Sequence, residues 1–123
     1  MTIQELYEKI GGNYEQAQKI MKMDKLIDRY VRKLTASGTY EKLAEAGKAM
    51  DPTQLFEAAH AMKGVCANLG LDTLSHAAGE ITEEFRPGSP RKMTDAEVRE
   101  KLAALGEMYQ RTVKGIEEYV AGA

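Results

Sequence analysis

Apolar positions recur every three or four residues along most of the chain, which is the spacing of one face of an α-helix. Three segments carry such a stripe: Leu55, Ala59, Met62, Cys66 and Leu69; then Leu74, Ala78, Ile81 and Phe85; then Val98, Leu102, Leu105, Tyr109, Ile116 and Val120. The alternation typical of a half-buried strand is not found. Helices with one apolar face pack into a bundle and leave their other faces in water.

Helix-start signals divide the chain into elements. Four pairs resemble a capping box, in which side chains satisfy the free N–H groups of the first turn: Thr2 with Glu5, Asn13 with Gln16, Asp51 with Gln54 and Thr94 with Glu97. Together with glycine stops, they predict helices over residues 2–11, 13–36, 40–50, 52–69, 72–86 and 95–121. The long loop falls at residues 86–92, which contain Pro87 and Pro90.

These elements predict an all-α fold. The short connection at Gly70 makes segments 52–69 and 72–86 an antiparallel hairpin. We expect an antiparallel four-helix bundle in up-down-up-down order, with one or two short extra helices at the N-terminal side. At 123 residues, the chain has the size of a single domain, over residues 1–123.

Composition and charge narrow the function classes. With 17 basic and 19 acidic residues the net charge is −2, which argues against a broad nucleic-acid surface. A single cysteine, Cys66, excludes an internal disulfide and fits a reducing compartment. No apolar run reaches the roughly 18 residues of a membrane span, and the N-terminus lacks the layout of a signal peptide. We therefore expect a cytoplasmic protein without membrane partners.

His60 is the first candidate for chemistry. At about 100° per residue, it lies roughly 140° from Leu55, outside the arc of the apolar stripe. Lys63 follows at i+3 and Gly64 at i+4. A glycine inside a helix costs about 1 kcal/mol relative to alanine, and its missing side chain clears space beside the imidazole. An exposed nucleophilic nitrogen with a nearby cation and an open approach suggests a covalent phosphohistidine.

The segment 59–70 reads AHAMKGVCANLG, and it resembles the signature of histidine-containing phosphotransfer (Hpt) domains. Their pattern is His-x-x-Lys-Gly, then a few residues, then a small or polar residue and Leu-Gly. The resemblance implies that His60 accepts a phosphoryl group from a receiver-domain aspartate of a hybrid sensor kinase. His60 would then pass the group to the receiver aspartate of a response regulator, as a phosphorelay intermediate in two-component signal transduction.

The same resemblance implies roles for the neighbouring residues. Lys63 would stabilise the phosphate charge, Gly64 would let the partner approach, and Leu69 and Gly70 would pack and end the helix. We expect the receiver to dock on the flank around His60, with contacts from Phe56, Glu57, Ala67 and Asn68. In that surface, an exposed Phe56 would supply the apolar contact.

Many Hpt domains carry a glutamine on the next helix that hydrogen-bonds near the phosphohistidine. None occurs between Asp72 and Arg86. The polar residues that could take its place are Glu80, Thr82 and Glu83, and the sequence does not choose among them.

No cofactor is expected on this chain. The resemblance implies that the receiver supplies the Mg²⁺, while this chain supplies His60 and Lys63. No glycine-rich nucleotide loop occurs in the sequence, so self-phosphorylation from ATP is not expected. Whether the chain counts as an enzyme or as a phosphocarrier stays open.

Two alternatives remain beside the phosphorelay. A helical-bundle adaptor could bind a receiver or kinase partner without accepting phosphate, because docking and transfer would use the same surface. A metal-binding bundle is suggested by Glu57 and His60, which form the Glu-x-x-His unit of di-iron proteins. Such sites need two inward-facing units, and the other histidine, His76, has Thr73 at i−3 and is predicted to point outward.

Overall fold

A computed structural model describes residues 1–122 and contains seven helices and no strand within them. The helices are α1 (Ile3–Ile10), α2 (Tyr14–Met21), α3 (Asp24–Leu34), α4 (Thr39–Ala49), α5 (Pro52–Asn68), α6 (Asp72–Glu84) and α7 (Asp95–Gly122). The predicted all-helical class is confirmed. Over the part of the chain that the structure describes, no helix combines the length and apolar character that spanning a bilayer demands.

The last four helices pack against one another, and all seven helices contribute residues to the core. Helix α4 packs against α5 and α7, and α6 packs against the same two helices, with the most extensive contact between α5 and α6. The shorter helices α1 and α3 pack on α7, and α2 packs on α5. Three extra helices therefore precede α4, where the sequence analysis predicted one or two.

The predicted helix over residues 13–36 is wrong, because the chain breaks between α2 and α3. Lys22 adopts a left-handed conformation with φ 73°, and Met23 is extended. The carboxylate of Asp24 accepts hydrogen bonds from Tyr14 and Gln18, which hold the start of α3 against α2. These side-chain contacts stabilise a turn at a site that has neither glycine nor proline.

The predicted core faces of α5 and α6 are confirmed, since every residue of both stripes is buried. The stripe of α7 needs a correction near its end. Leu102 is only half-buried and Val120 is 42% exposed, whereas the adjacent Tyr119 is buried. Tyr119 faces α3 and donates a hydrogen bond to Asp28, so contact with α3 sets which face of the last turn is covered.

The connection between α5 and α6 is fastened to the N-terminal helices. Gly70 is left-handed with φ 68°, and a β-carbon there would lie 2.3 Å from the backbone oxygen of Asn13. The Asn13 N–H donates to the Gly70 carbonyl at 2.8 Å. The buried Tyr7 hydroxyl donates to the Leu69 carbonyl at 2.6 Å. These contacts hold the end of α5, the helix that carries His60.

At the other end of the hairpin, a buried carboxylate orders the loop that leads to α7. Glu84 accepts hydrogen bonds from the backbone N–H groups of Lys92 at 2.9 Å and Met93 at 2.7 Å, and Arg91 lies 3.5 Å away. Burial would raise the pKa of the Glu84 carboxyl, but these donors outweigh it, and the pKa is lowered. The loop is therefore anchored to the last turn of α6.

Candidate functional site

His60 lies near the middle of α5, and its side chain is exposed, as its position on the helical wheel predicts. The helix begins with Asp51, whose side chain accepts from the N–H groups of Thr53 and Gln54, and with Pro52 in its first turn. The imidazole stacks on the ring of Phe56 one turn earlier, with centroids 5.7 Å apart and planes 8° from parallel. One face of the imidazole is thus supported while the side chain stays open to solvent.

Gly64 leaves a bare patch of helix beside His60. A β-carbon built at Gly64 meets no atom of residues 1–122 within 4 Å outside its own helix backbone and chain neighbours. No packing within the described chain therefore requires a glycine at this position, although glycine weakens a helix. The open surface is consistent with close approach of another molecule to the imidazole.

Lys63 lies on the α6 side of His60 and is half-buried. Its aliphatic carbons run past Gly79 of α6, where a β-carbon would be 3.6 Å from Lys63 Cδ. The backbone carbonyl of Lys63 accepts a hydrogen bond from the Ser75 hydroxyl at 3.1 Å. The neighbouring helix therefore restrains both the backbone and the side-chain stem of Lys63.

Of the three polar candidates on α6, one is buried and two line the same surface depression as Lys63. Thr82 is fully buried and donates to the Ala78 carbonyl at 2.9 Å, and Glu80 binds Lys101 at 3.0 Å. Glu83 is exposed, and the pKa of its carboxyl is lowered mainly by its hydrogen bond to Arg86 and to a smaller extent by the nearby charges of Lys63 and His60.

The strongest influence on the Glu83 carboxyl is Arg86. Its hydrogen bond to Glu83 makes the largest contribution to the lowered pKa, and burial opposes it. The Glu83 carboxylate is therefore paired with an arginine of its own.

A family model described as Hpt domain matches residues 15–115. The chain belongs to the Hpt domain family. A search of curated proteins and a search of solved structures each found no significant match. Membership assigns the chain to the histidine phosphotransfer modules of two-component phosphorelays, which interact with receiver domains.

The predicted docking residues of this Hpt domain lie along one side of α5. Glu57 and Asn68 are exposed, and Ala67 is half-buried. Phe56 is also half-buried and packs against the core, so the expectation of an exposed phenylalanine is wrong. The stack with His60 and the overlying Arg86 cover much of its ring.

An apolar groove borders the Asn68 end of this surface. The groove has a volume of about 500 Å³ and is lined by Ile20, Met21, Tyr30, Lys33, Leu34, Ser37, Val65, Asn68 and Leu69. Ile20 is 40% exposed and Tyr30 is 44% exposed. The sequence analysis missed this groove, because it forms where α2 and α3 meet α5 and those two helices were predicted as one.

The metal alternative finds no support in the geometry of the Hpt domain. Glu57 and His60 are exposed and do not face the bundle interior, as a di-iron unit requires. His76 is exposed as well. Among the described residues, no group of three His, Cys, Asp or Glu side chains is placed to hold a metal ion.

The single cysteine lies on the core side of the same helix. Cys66 is fully buried, and burial raises the pKa of its thiol to about 12. A buried thiol with a raised pKa is unreactive, so Cys66 serves as a small core residue.

Proposed function

We propose that His60 is the phosphoacceptor of a phosphorelay intermediate. The residue would take a phosphoryl group from the receiver aspartate of a hybrid sensor kinase and pass it to the receiver aspartate of a response regulator. The observation that carries this proposal is an exposed His60 beside the open surface at Gly64, in a chain of the Hpt family.

The transfer needs one nucleophilic nitrogen and a partner held in line. The lone pair of an imidazole nitrogen forms a P–N bond while the P–O bond of the aspartyl phosphate breaks. The electron pair of that bond leaves with the aspartate as its carboxylate, and no proton has to move. Transfer to the second receiver is the reverse of this step. Positioning and charge stabilisation supply most of the catalysis in such reactions.

Lys63 is the charge that this chain would contribute. Its stem is restrained along α6, one turn from His60, so less rotamer freedom is lost when its ammonium contacts phosphate oxygens. We expect the receiver to hold the Mg²⁺ that completes the charge stabilisation, and we propose no cofactor for this chain.

The docking surface would extend along α5 from Phe56 to Asn68, with Glu57, Gly64 and Ala67 between them. The apolar groove next to Asn68 supports this placement, because exposed apolar side chains favour a protein contact. We further propose that α4 to α7 form the antiparallel up-down-up-down bundle. The order of their contacts and the short connections between α4, α5 and α6 support that topology.

Incubation with a receiver domain carrying labelled aspartyl phosphate tests this function. The wild type should acquire an acid-labile, base-stable label, and His60→Gln should not. His76→Gln is the matched control, since it removes the other histidine and should keep full labelling. A label that persists in His60→Gln would exclude His60 as the acceptor. A receiver that binds the wild type without transferring phosphate would instead favour the adaptor.

A further inference from the structure

Arg86 and the phosphoacceptor share a neighbour, the ring of Phe56. Its guanidinium carbon lies 5.4 Å from the centroid of the Phe56 ring. The other neighbour of that ring is the His60 imidazole, at 5.7 Å. Both side chains therefore contact the same aromatic ring. Its side chain is 42% exposed, which leaves it free to change rotamer.

In the free protein the Arg86 guanidinium is held by Glu83. Arg86 Nε donates to Glu83 Oε2 at 3.0 Å, and Nη2 donates to Oε1 at 2.7 Å. This two-point geometry is the one with which arginine also binds phosphate. The carboxylate that occupies the guanidinium therefore uses the same donors that a phosphoryl group would use.

Phosphorylation changes the charges around this pair. A phosphoryl group adds between one and two negative charges and three strong acceptor oxygens. Glu83 is a carboxylate in the neighbourhood of His60, so the added negative charge would repel it. Arg86 would be attracted by the same group, as would Lys63, which follows His60 by one turn and has its stem along α6.

We propose that Arg86 is a second phosphate-binding residue for phosphorylated His60, released from Glu83 when the phosphoryl group is added. The proposal rests on His60 as the phosphoacceptor. Lys63 and Arg86 then flank the phosphoryl group, and Glu83 holds Arg86 only in the unphosphorylated protein. Glu83 is a positioning residue in this exchange, because it acts through Arg86.

The test uses phosphoramidate, a small-molecule phosphoryl donor that needs no receiver. An imidazole nitrogen attacks its phosphorus, the P–N bond of the donor breaks, and ammonia leaves after taking up a proton from water. The protein carries His76→Gln, so that His60 is the one histidine left. The pKa of the phosphoryl group is then followed by ³¹P NMR in this background and in variants at Glu83 and Arg86.

Arg86→Gln should raise the pKa of the phosphoryl group by about half a pH unit, because a nearby cation favours the more charged form. Glu83→Gln should lower it by a similar amount. The exposed Arg29 on α3 gives the control Arg29→Gln, which should leave it unchanged. In the protein that carries only His76→Gln, the Arg86 Nε–H resonance should shift on phosphorylation. A merely structural role of the pair would move neither signal.

The proposed release of Arg86 from Glu83 would be overturned if the pKa of the phosphoryl group were the same in Arg86→Gln and Arg29→Gln. It would also be overturned if the Arg86 Nε–H resonance did not shift on phosphorylation. A chain that is labelled by phosphoramidate and never by a phosphorylated receiver would overturn the proposed relay and leave the Arg86 result standing. A His60 that is labelled by neither phosphoramidate nor a phosphorylated receiver would overturn both proposals.

Discussion

The stem of Lys63 lies against Gly79 of the neighbouring helix, where a β-carbon would be 3.6 Å from Lys63 Cδ and 3.7 Å from Cε. These are ordinary van der Waals distances, so a methyl group fits at Gly79 in contact with the Lys63 stem. The proposed phosphate-binding cation is therefore guided by a residue on α6 that does not itself reach the phosphoacceptor.

Substitutions at Gly79 should separate stability from transfer. Gly79→Ala should raise the free energy of unfolding by about 0.5–1 kcal/mol, because alanine is the better helix former, and should keep Lys63 in place. Gly79→Leu should displace the Lys63 stem and slow transfer roughly fivefold, if about 1 kcal/mol of charge stabilisation is lost. Urea unfolding and single-turnover transfer measure the two effects. Equal transfer rates for the two variants would contradict the guiding role of α6.

Substitutions at Gly64 test the open approach to His60. Gly64→Glu should lower transfer roughly tenfold or more, because a carboxylate would face the incoming phosphoryl group and its acidic site. Circular dichroism should show unchanged helical content, since a side chain at this position enters open space. Ala104→Glu on α7 is a charge-matched control at an exposed position and should transfer normally. Normal transfer by Gly64→Glu would refute the docking surface.

Tyr7 should make the protein sensitive to alkali. Burial raises the pKa of Tyr7 above its ordinary value near 10.0, and it raises that of Tyr109 to about 12. These tyrosines therefore lose their protons at a higher pH in the folded state than in the unfolded state. Their contribution to the free energy of unfolding is complete below about pH 10 and decreases as the pH rises further. Tyr7→Phe should show a shallower fall between pH 10 and 11 in urea unfolding.

The same variant should be less stable at neutral pH. Tyr7→Phe removes the hydrogen bond to the buried Leu69 carbonyl, which should cost about 1–2 kcal/mol. Tyr30→Phe is the control, because Tyr30 is 44% exposed. If the free energy of unfolding of Tyr7→Phe fell with pH as steeply as that of the wild type, the loss of stability in alkali would be due to other tyrosines.

Glu84 should make the stability of the protein depend on pH in the acid range. Its pKa is lowered in the folded protein, so its contribution is present above the ordinary value of 4.5 and is lost as the pH falls through the folded value. Glu84→Gln should lower the free energy of unfolding by about 1–2 kcal/mol at pH 7, since hydrogen bonds to a charged acceptor are lost. Thermal unfolding of the two proteins should converge in acid. Glu100→Gln, at an exposed position, should match the wild type throughout.

The α5–α6 hairpin was predictable because several signals agree on it. The apolar stripe around Met62, the cap at Asp51 and the stop at Gly70 all indicate one amphipathic helix followed by a tight turn. The angular separation of His60 from that stripe then follows from helix geometry alone. Because the apolar pattern, the cap and the turn residue all indicate the same helix, the sequence predicts both the local structure and the exposure of His60.

Contacts between elements were not predictable in the same way. The break at Lys22 depends on side chains of α2 that bind Asp24, and the local sequence has no strong helix breaker there. The contact of Arg86 with Phe56 depends on how the end of α6 lies against α5, which helix periodicity does not specify. Opposite charges at Glu83 and Arg86, three residues apart, were a signal for the ion pair itself. They did not indicate that the pair would lie over Phe56.

The burial of Cys66 has a practical consequence for kinetics. A thiol reagent can modify this residue only after α5 has come away from the core, because the sulfur is covered and the thiolate is scarce at neutral pH. The rate of modification in the absence of denaturant therefore reports how often the phosphoacceptor helix opens transiently. Because the chain has one cysteine, this rate can be measured without engineered residues or additional labels.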